Sequence, residues 1–200
     1  MDPQEHLDLV DWRRRVGDAY RLGSLTAWRA ERERLFREHP QSPVPPERRE
    51  AFAGLRWFDP DPAYRVPARL EPGDGAPVEI DTGGEDGVIR CRRIGSLRFR
   101  LHDEDCSLGV LALLGYGSGL FVPFRDATSG SESYGGGRYL ADTVKCTDAG
   151  CLGVTPGSPD VVIDFNYAYH PSCVYDARWA CPLAPPENRL SVPVRAGERL

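Results

Sequence analysis

The hydrophobic period of this chain changes near residue 57, and that change constrains the fold more than any other feature. Before it, Leu9, Trp12, Val16 and Tyr20 recur at helical spacing, and Leu25, Trp28, Leu35 and Phe36 do so again. After it, apolar residues alternate with polar ones in Tyr64-Arg65-Val66-Pro67-Ala68-Arg69-Leu70, Val78-Glu79-Ile80-Asp81 and Leu97-Arg98-Phe99-Arg100-Leu101, and less perfectly over 88–94. Residues 107–114, 120–124, 161–165 and 190–194 add further apolar strands. Gly73-Asp74-Gly75, Gly83-Gly84, Gly95-Ser96 and a glycine-rich stretch at 115–119 read as the turns between them. No long helical pattern interrupts the strands, which argues against a parallel α/β sheet. The expected fold is mainly β, an antiparallel barrel or sandwich with two to three N-terminal helices packed on it. The expected division is a helical segment at 1–56 and a β domain at 57–200.

Helix boundaries are readable. Asp2-Pro3-Gln4-Glu5 has the form of a capping box with proline at the first helical position. Gly23-Ser24 breaks the first helix, Ser24 starts a second, and His39-Pro40 stops it. A short third helix is expected over 47–52. Pro67 and Pro193 should mark strand edges or bulges, and the polar segment 145–159 reads as an excursion between strands. Amphipathic helices cannot bury their stripes alone. These either close the barrel end or form a homodimer.

Charge and composition narrow the partners. The net charge of −5 does not favour nucleic acid, although the first 56 residues carry eleven Arg against ten acids. The N-terminus has no apolar core of a signal peptide, and the longest apolar run, Val110-Leu111-Ala112-Leu113-Leu114, is too short to cross a bilayer. The expectation is therefore a cytoplasmic protein with no membrane partner. Lys145 is alone beside 24 Arg, so Schiff-base chemistry has one poor candidate. In a reducing compartment the six cysteines are not a disulfide framework. Buried structural thiols are the leading reading, ahead of a disulfide, a metal site and a catalytic thiol. Cys173 and Cys181 should be buried and close together, because proline-rich sequence on both sides folds the segment back. Cys91 and Cys106 should pack as small apolar groups.

Two segments have the inventory of a site. Residues 124–140 follow a confident strand with small hydroxyls and four glycines, which permit close backbone approach to an anion. The segment lacks the Gly-Lys-Ser/Thr of a phosphate loop and the context of a dinucleotide fingerprint, so no cofactor is expected. A tight hairpin with Asp126 paired to Arg138 is the plain alternative. Residues 165–190 crowd aromatic, carboxamide, imidazole and thiol groups between prolines. Asp126, Asp164 and Glu187 are the candidate catalytic carboxylates, since paired carboxylates can divide acid and base roles. A capping role is the plain alternative for Asp164. Arg138 and Arg189 can clamp an anion. Asn166, Asn188 and His170 can orient a polar ligand, and Tyr139 and Tyr169 can wall its pocket together with Trp179. No metal site is preferred. The expected function is binding of a small polar or anionic molecule at one end of the β domain, with hydrolysis as the reaction best matched to the carboxylates. The alternative is a non-catalytic structural or interaction module.

These blocks resemble a bacterial family catalogued as domain of unknown function 1684. The first shared block is Phe124, Asp126, Thr128, Ser129 and Gly130 with Tyr134, Gly135, Gly137, Arg138, Tyr139 and Leu140. The second is Asp164, Phe165, Asn166, Ala168, Tyr169, Pro171 and Cys173. It runs into Cys181-Pro182-Leu183, Pro185-Pro186, Asn188-Arg189-Leu190 and a closing Ala196-Gly197-Glu198. His170 stands where members usually carry Asn, Ala184 where Pro is common, and the stretch bearing Cys146 and Cys151 is additional. The resemblance implies that the two blocks belong together. It implies no established reaction.

Overall fold

The computed structural model describes residues 2–84, 87–115, 118–148 and 150–200. Helix α1 spans Pro3–Arg21, and its first turn is closed by the expected capping box between Asp2 and Glu5. Helix α2 spans Leu25–Glu38, starts at the Ser24 cap and ends at His39. The third helix expected over 47–52 is instead a single 3-10 turn, Pro46–Arg48. Three residues cannot repay the cost of helix nucleation alone. Arg49 holds this corner by donating to the Val44 and Pro40 carbonyls.

The strands are β1 (Arg65–Pro72), β2 (Pro77–Asp81), β3 (Val88–Leu101), β4 (Glu104–Leu113), β5 (Gly119–Phe124), β6 (Arg138–Asp142), β7 (Leu152–Val154) and β8 (Asp160–Asp164). They form one antiparallel sheet in the order β6-β5-β4-β3-β1-β8-β7, with β2 pairing β3 off this path. The sheet curls into a nearly closed barrel. Isolated bridges at Tyr139–Tyr169 and Asp142–Thr147 stitch β6 to the segments flanking β7 and β8. The glycine-rich turn expected at 115–119 includes Tyr116 and Gly117, which lie outside the described residues, as does Ala149 in the 145–159 excursion.

Three strand expectations are corrected. Gly95-Ser96 is not a turn: β3 runs through it as one 14-residue strand with a bulge between Arg93 and Gly95. The extra residue moves the buried side of β3 from one face of the sheet to the other. Cys91 accordingly joins a small cluster with Ile80, Leu111, Phe121, Tyr139 and Tyr169. Leu97, Phe99 and Leu101 join the main core. Only glycine fits at 95, where a Cβ would sit 2.6 Å from the Glu71 carbonyl oxygen. Leu190, Val192 and Val194 are buried, but the segment forms no strand: the Leu190 amide and the Val192 carbonyl bond singly to Arg125 and Ala127, and a side chain described below takes the Val194 carbonyl. Finally, the 145–159 excursion contains β7.

The main core is continuous across residue 57. Val16, Ala19, Tyr20, Trp28 and Leu35 of the helices pack in the same cluster as Val66, Leu108, Val122 and Ile163 of the barrel. Trp28 sits between Tyr20, Trp57 and Tyr167, with ring centroids 5.0–5.3 Å away. The helical stripes are thus buried on the barrel. No described helix is long and apolar enough to cross a membrane.

Candidate functional site

The C-terminal stretch from Phe165 onward crosses the barrel with only single helical turns, so its backbone must find partners in side chains. The residues singled out by sequence supply many of them. Arg138 and Asp126 form an ion pair at 2.5 Å, with both side chains about 1% exposed. The Arg138 guanidinium also donates to the carbonyls of Val194 (2.7 Å), Ala196 (2.5 Å) and Glu198 (3.1 Å). Asp126 accepts from the Thr128 amide and hydroxyl, and Thr128 in turn meets Ser133 at 2.8 Å. The Asn188 carboxamide accepts from the Gly109 amide and donates to the Gly109 and Pro123 carbonyls, tying the crossing to β4 and β5. Asn166 grips both the amide and the carbonyl of Asp61. Asp164 caps the turn Phe165–Tyr167 through the Asn166 amide.

The remaining candidates are equally engaged or lie apart. Tyr139 donates to the Pro182 carbonyl at 2.5 Å, and the Tyr169 hydroxyl meets Thr147 at 2.6 Å. Glu187 pairs with Arg93 at the surface. Arg189 is exposed on a short parallel bridge to Arg125. The His170 ring accepts from the Tyr134 amide at 3.2 Å through Nε2, which puts its proton on Nδ1. Burial pushes its pKa down to about 4, so it is a neutral imidazole at physiological pH. Among the described residues, no hydrogen bond or ion pair joins Asp126, Asp164 and Glu187 to one another.

Sequence reasoning missed the residue that anchors this brace to the helices. Glu198 is fully buried and accepts from Arg32 of α2 at 3.2 Å, from the His170 amide at 2.7 Å and from the Tyr175 hydroxyl. The Arg32 guanidinium lies 4.6 Å from the Phe36 ring and 4.9 Å from the Tyr169 ring. No local pattern marks this pairing, since 166 positions separate its members.

What the brace leaves open is a cleft of about 950 Å³ between the β2–β3 turn and the crossing, with Cys173 and Cys181 on its wall. Cys173 sits on the single turn Ser172–Val174, placed by Pro171. Cys181 is held where Tyr139 pins Pro182 and the Ala184 amide reaches the Gly136 carbonyl. Both thiols line this cleft and each shifts the other's ionisation, so they lie near one another, as the flanking prolines suggested; Cys181 is buried as expected, but Cys173 is only half-buried. The Cys173 Sγ is also 3.9 Å from the Tyr134 hydroxyl. Donation from the Cys173 thiol pushes the Cys181 pKa down to about 6, against burial; the Cys173 and Ser172 amides and the Lys145 charge act the same way. Cys173 is raised correspondingly, chiefly by its bond to Cys181 and then by burial. Arg178 lies over Trp179, 5.1 Å from its ring, beside Asp176 at 3.2 Å. The opposite wall comes close at Gly84, where a Cβ would sit 2.5 Å from that of Ala180.

The other cysteines differ. Cys91, Cys106 and Cys151 are buried, and burial raises each thiol pKa. Cys146 is exposed. Among the described residues no group of three or more His, Cys, Asp or Glu side chains is arranged to hold a metal ion. A second depression of about 1160 Å³ runs along the outer face of the sheet near β1, β3 and β8. Its arginines are paired across strands, Arg69 with Asp160, Arg98 with Glu71 and Arg100 with Asp105.

Together these features define a small, nearly closed antiparallel barrel with two N-terminal helices and an open cleft whose wall carries two free cysteines. The chain belongs to the family described as protein of unknown function (DUF1684), which matches residues 50–199. Its structure is similar to the solution NMR structure of an uncharacterized protein from gene locus rrnAC0354 of Haloarcula marismortui. The TM-score is 0.62 and the identity 38%, over 88% of this chain and 92% of that one. That neighbour is haloarchaeal, so the likeness reaches beyond bacteria. No curated protein matches.

Proposed function

We propose that this protein binds a small polar or anionic molecule in the cleft beside Cys173 and Cys181. One observation carries the reading: a cleft of about 950 Å³ has two free thiols on one wall. That volume suits a small-molecule site. Trp179 and Tyr134 offer flat apolar surface, and Arg178 offers a cation for an anionic group. Its reactive element is the thiol pair, in place of the carboxylates expected from sequence. Hydrolysis through Asp126, Asp164 or Glu187 would need groups that share no contact to act together.

A second reading, a non-catalytic structural module, draws on the brace. Arg138, Asn166 and Asn188 spend their hydrogen bonds on the chain's own backbone. The two readings separate in a thermal-shift screen against a metabolite library, using wild type, Arg178→Gln and Trp179→Leu. Native-state binding raises the melting temperature by mass action. Cleft binding predicts compounds that stabilise wild type and lose that effect in both variants. Compounds that stabilise all three equally place binding elsewhere, and a screen without stabilising compounds leaves the structural module.

A further inference from the structure

We propose that Cys173 and Cys181 are a redox-active pair that closes to a reversible disulfide when a small external disulfide enters the cleft. The proposal rests on the cleft reading above for access, but its chemistry needs only the two sulfurs. Three observations carry it. Both thiols line the same open cleft, and each shifts the other's ionisation. Seven residues separate them, in a segment held at both ends, at Ala168 and Tyr169 by β6 and the C-terminus and at Pro182 by Tyr139. Closure therefore adds only a short loop to an ordered segment. The remaining cysteines lack this combination, since none of them lines the cleft.

The electron balance is that of thiol–disulfide exchange. The Cys181 thiolate attacks one sulfur of RS–SR. The S–S bond breaks, and RS⁻ leaves and takes a proton from solvent. The Cys173 thiol then gives up its proton and attacks the Cys181 sulfur of the mixed disulfide. A second RS⁻ leaves and accepts that proton. The protein loses two electrons overall, and RS–SR is reduced to two RSH. The groups around Cys181, including the Cys173 and Ser172 amides and the Lys145 charge, favour its thiolate, so it is the attacking sulfur in this scheme and Cys173 the resolving one.

The test uses the full chain carrying Cys146→Ser, equilibrated in oxidised and reduced glutathione at pH 7. The sample is acid-quenched, alkylated and digested. Trypsin cuts after Arg178, so a Cys173–Cys181 link joins two separate peptides. The expected result is a linked pair, a mass loss of two hydrogens, and full reversal by dithiothreitol. Cys173→Ser should trap glutathione on Cys181, and Cys181→Ser should give no link. The proposal is overturned if both cysteines alkylate at every glutathione ratio while circular dichroism shows a folded protein. It is equally overturned if the link forms only in denaturant. Failure here is distinct from failure of the cleft reading, because the thermal-shift screen reads binding through Arg178 and Trp179 and not through sulfur.

Discussion

Replacing Arg138 with methionine separates a brace from a ligand clamp. The substitution keeps much of the side-chain volume but removes a guanidinium that bonds Asp126 and three carbonyls of the C-terminal crossing. Breaking a buried ion pair by deleting one partner costs about 3–5 kcal/mol, because the other charge stays buried and unpaired. Each orphaned buried acceptor adds about 1–3 kcal/mol where the chain cannot relax toward water. The crossing can relax in part, so a total of about 4–6 kcal/mol is expected, a large share of the 5–15 kcal/mol that holds typical domains. Urea unfolding followed by circular dichroism gives the number directly from the midpoint, provided the slope is unchanged. Asp126→Asn in the same chain should recover part of the loss, since it removes the stranded charge, and the double-mutant cycle measures the coupling. A loss below about 1 kcal/mol would refute the brace. Abolished ligand binding with unchanged stability would refute it too, and would return Arg138 to the anion-clamping role expected from sequence.

Burial lowers the His170 pKa to about 4, so between pH 6.5 and 4 the unfolded chain takes up a proton that the native state refuses. Stability is therefore full above pH 6.5 and falls by up to about 3 kcal/mol as pH drops through that window. His170→Gln, whose carbonyl can still accept from the Tyr134 amide, should flatten the slope in urea titrations at several pH values. An unchanged slope would exclude His170 as its source. Asn188→Ala strands the Gly109 and Pro123 backbone groups and should cost about 2–4 kcal/mol in the same assay. Gly84→Val brings side-chain atoms against Ala180. It should cost about 1–3 kcal/mol and weaken any ligand-induced thermal shift; unaltered shifts would show that this wall does not shape the cleft.

Much of the fold was legible because its signals are local. The caps at Asp2 and Ser24, the helical stripes through Trp12 and Trp28, and the alternation in β1 and β2 depend on neighbours within a few residues. Strand β6 is buried at all five positions and so shows no alternation to read. The Gly95 bulge looked like a turn because glycine serves both, and only the approach of the β1 end distinguishes them. The 190–194 segment has a strand's composition, but Arg138 claims the Val194 carbonyl and Pro193 offers no amide. At the site, the Asp126–Arg138 pairing and the closeness of Cys173 and Cys181 could be read from spacing and turn chemistry. That the carboxamides face backbone could not be read, because Gly109 lies 79 positions from Asn188 and Asp61 lies 105 from Asn166. The polarisation of Cys181 depends on amides and a thiol brought together by the crossing, which no linear motif encodes.

If the cleft thiols carry the redox chemistry proposed above, they must react differently from the other buried ones. The most direct measurement is the pH dependence of alkylation at each cysteine, resolved by mass spectrometry on the folded Cys146→Ser chain. The expected result is that Cys181 reacts first, with a rate that rises through about pH 6 as its thiolate forms. Cys91, Cys106 and Cys151 should stay protected until the chain unfolds, since all three are buried and, unlike buried Cys181, none lines the cleft. If Cys181 reacts no faster than those three, or only at pH values where an ordinary thiol ionises, the cleft holds no activated sulfur and the claim is contradicted.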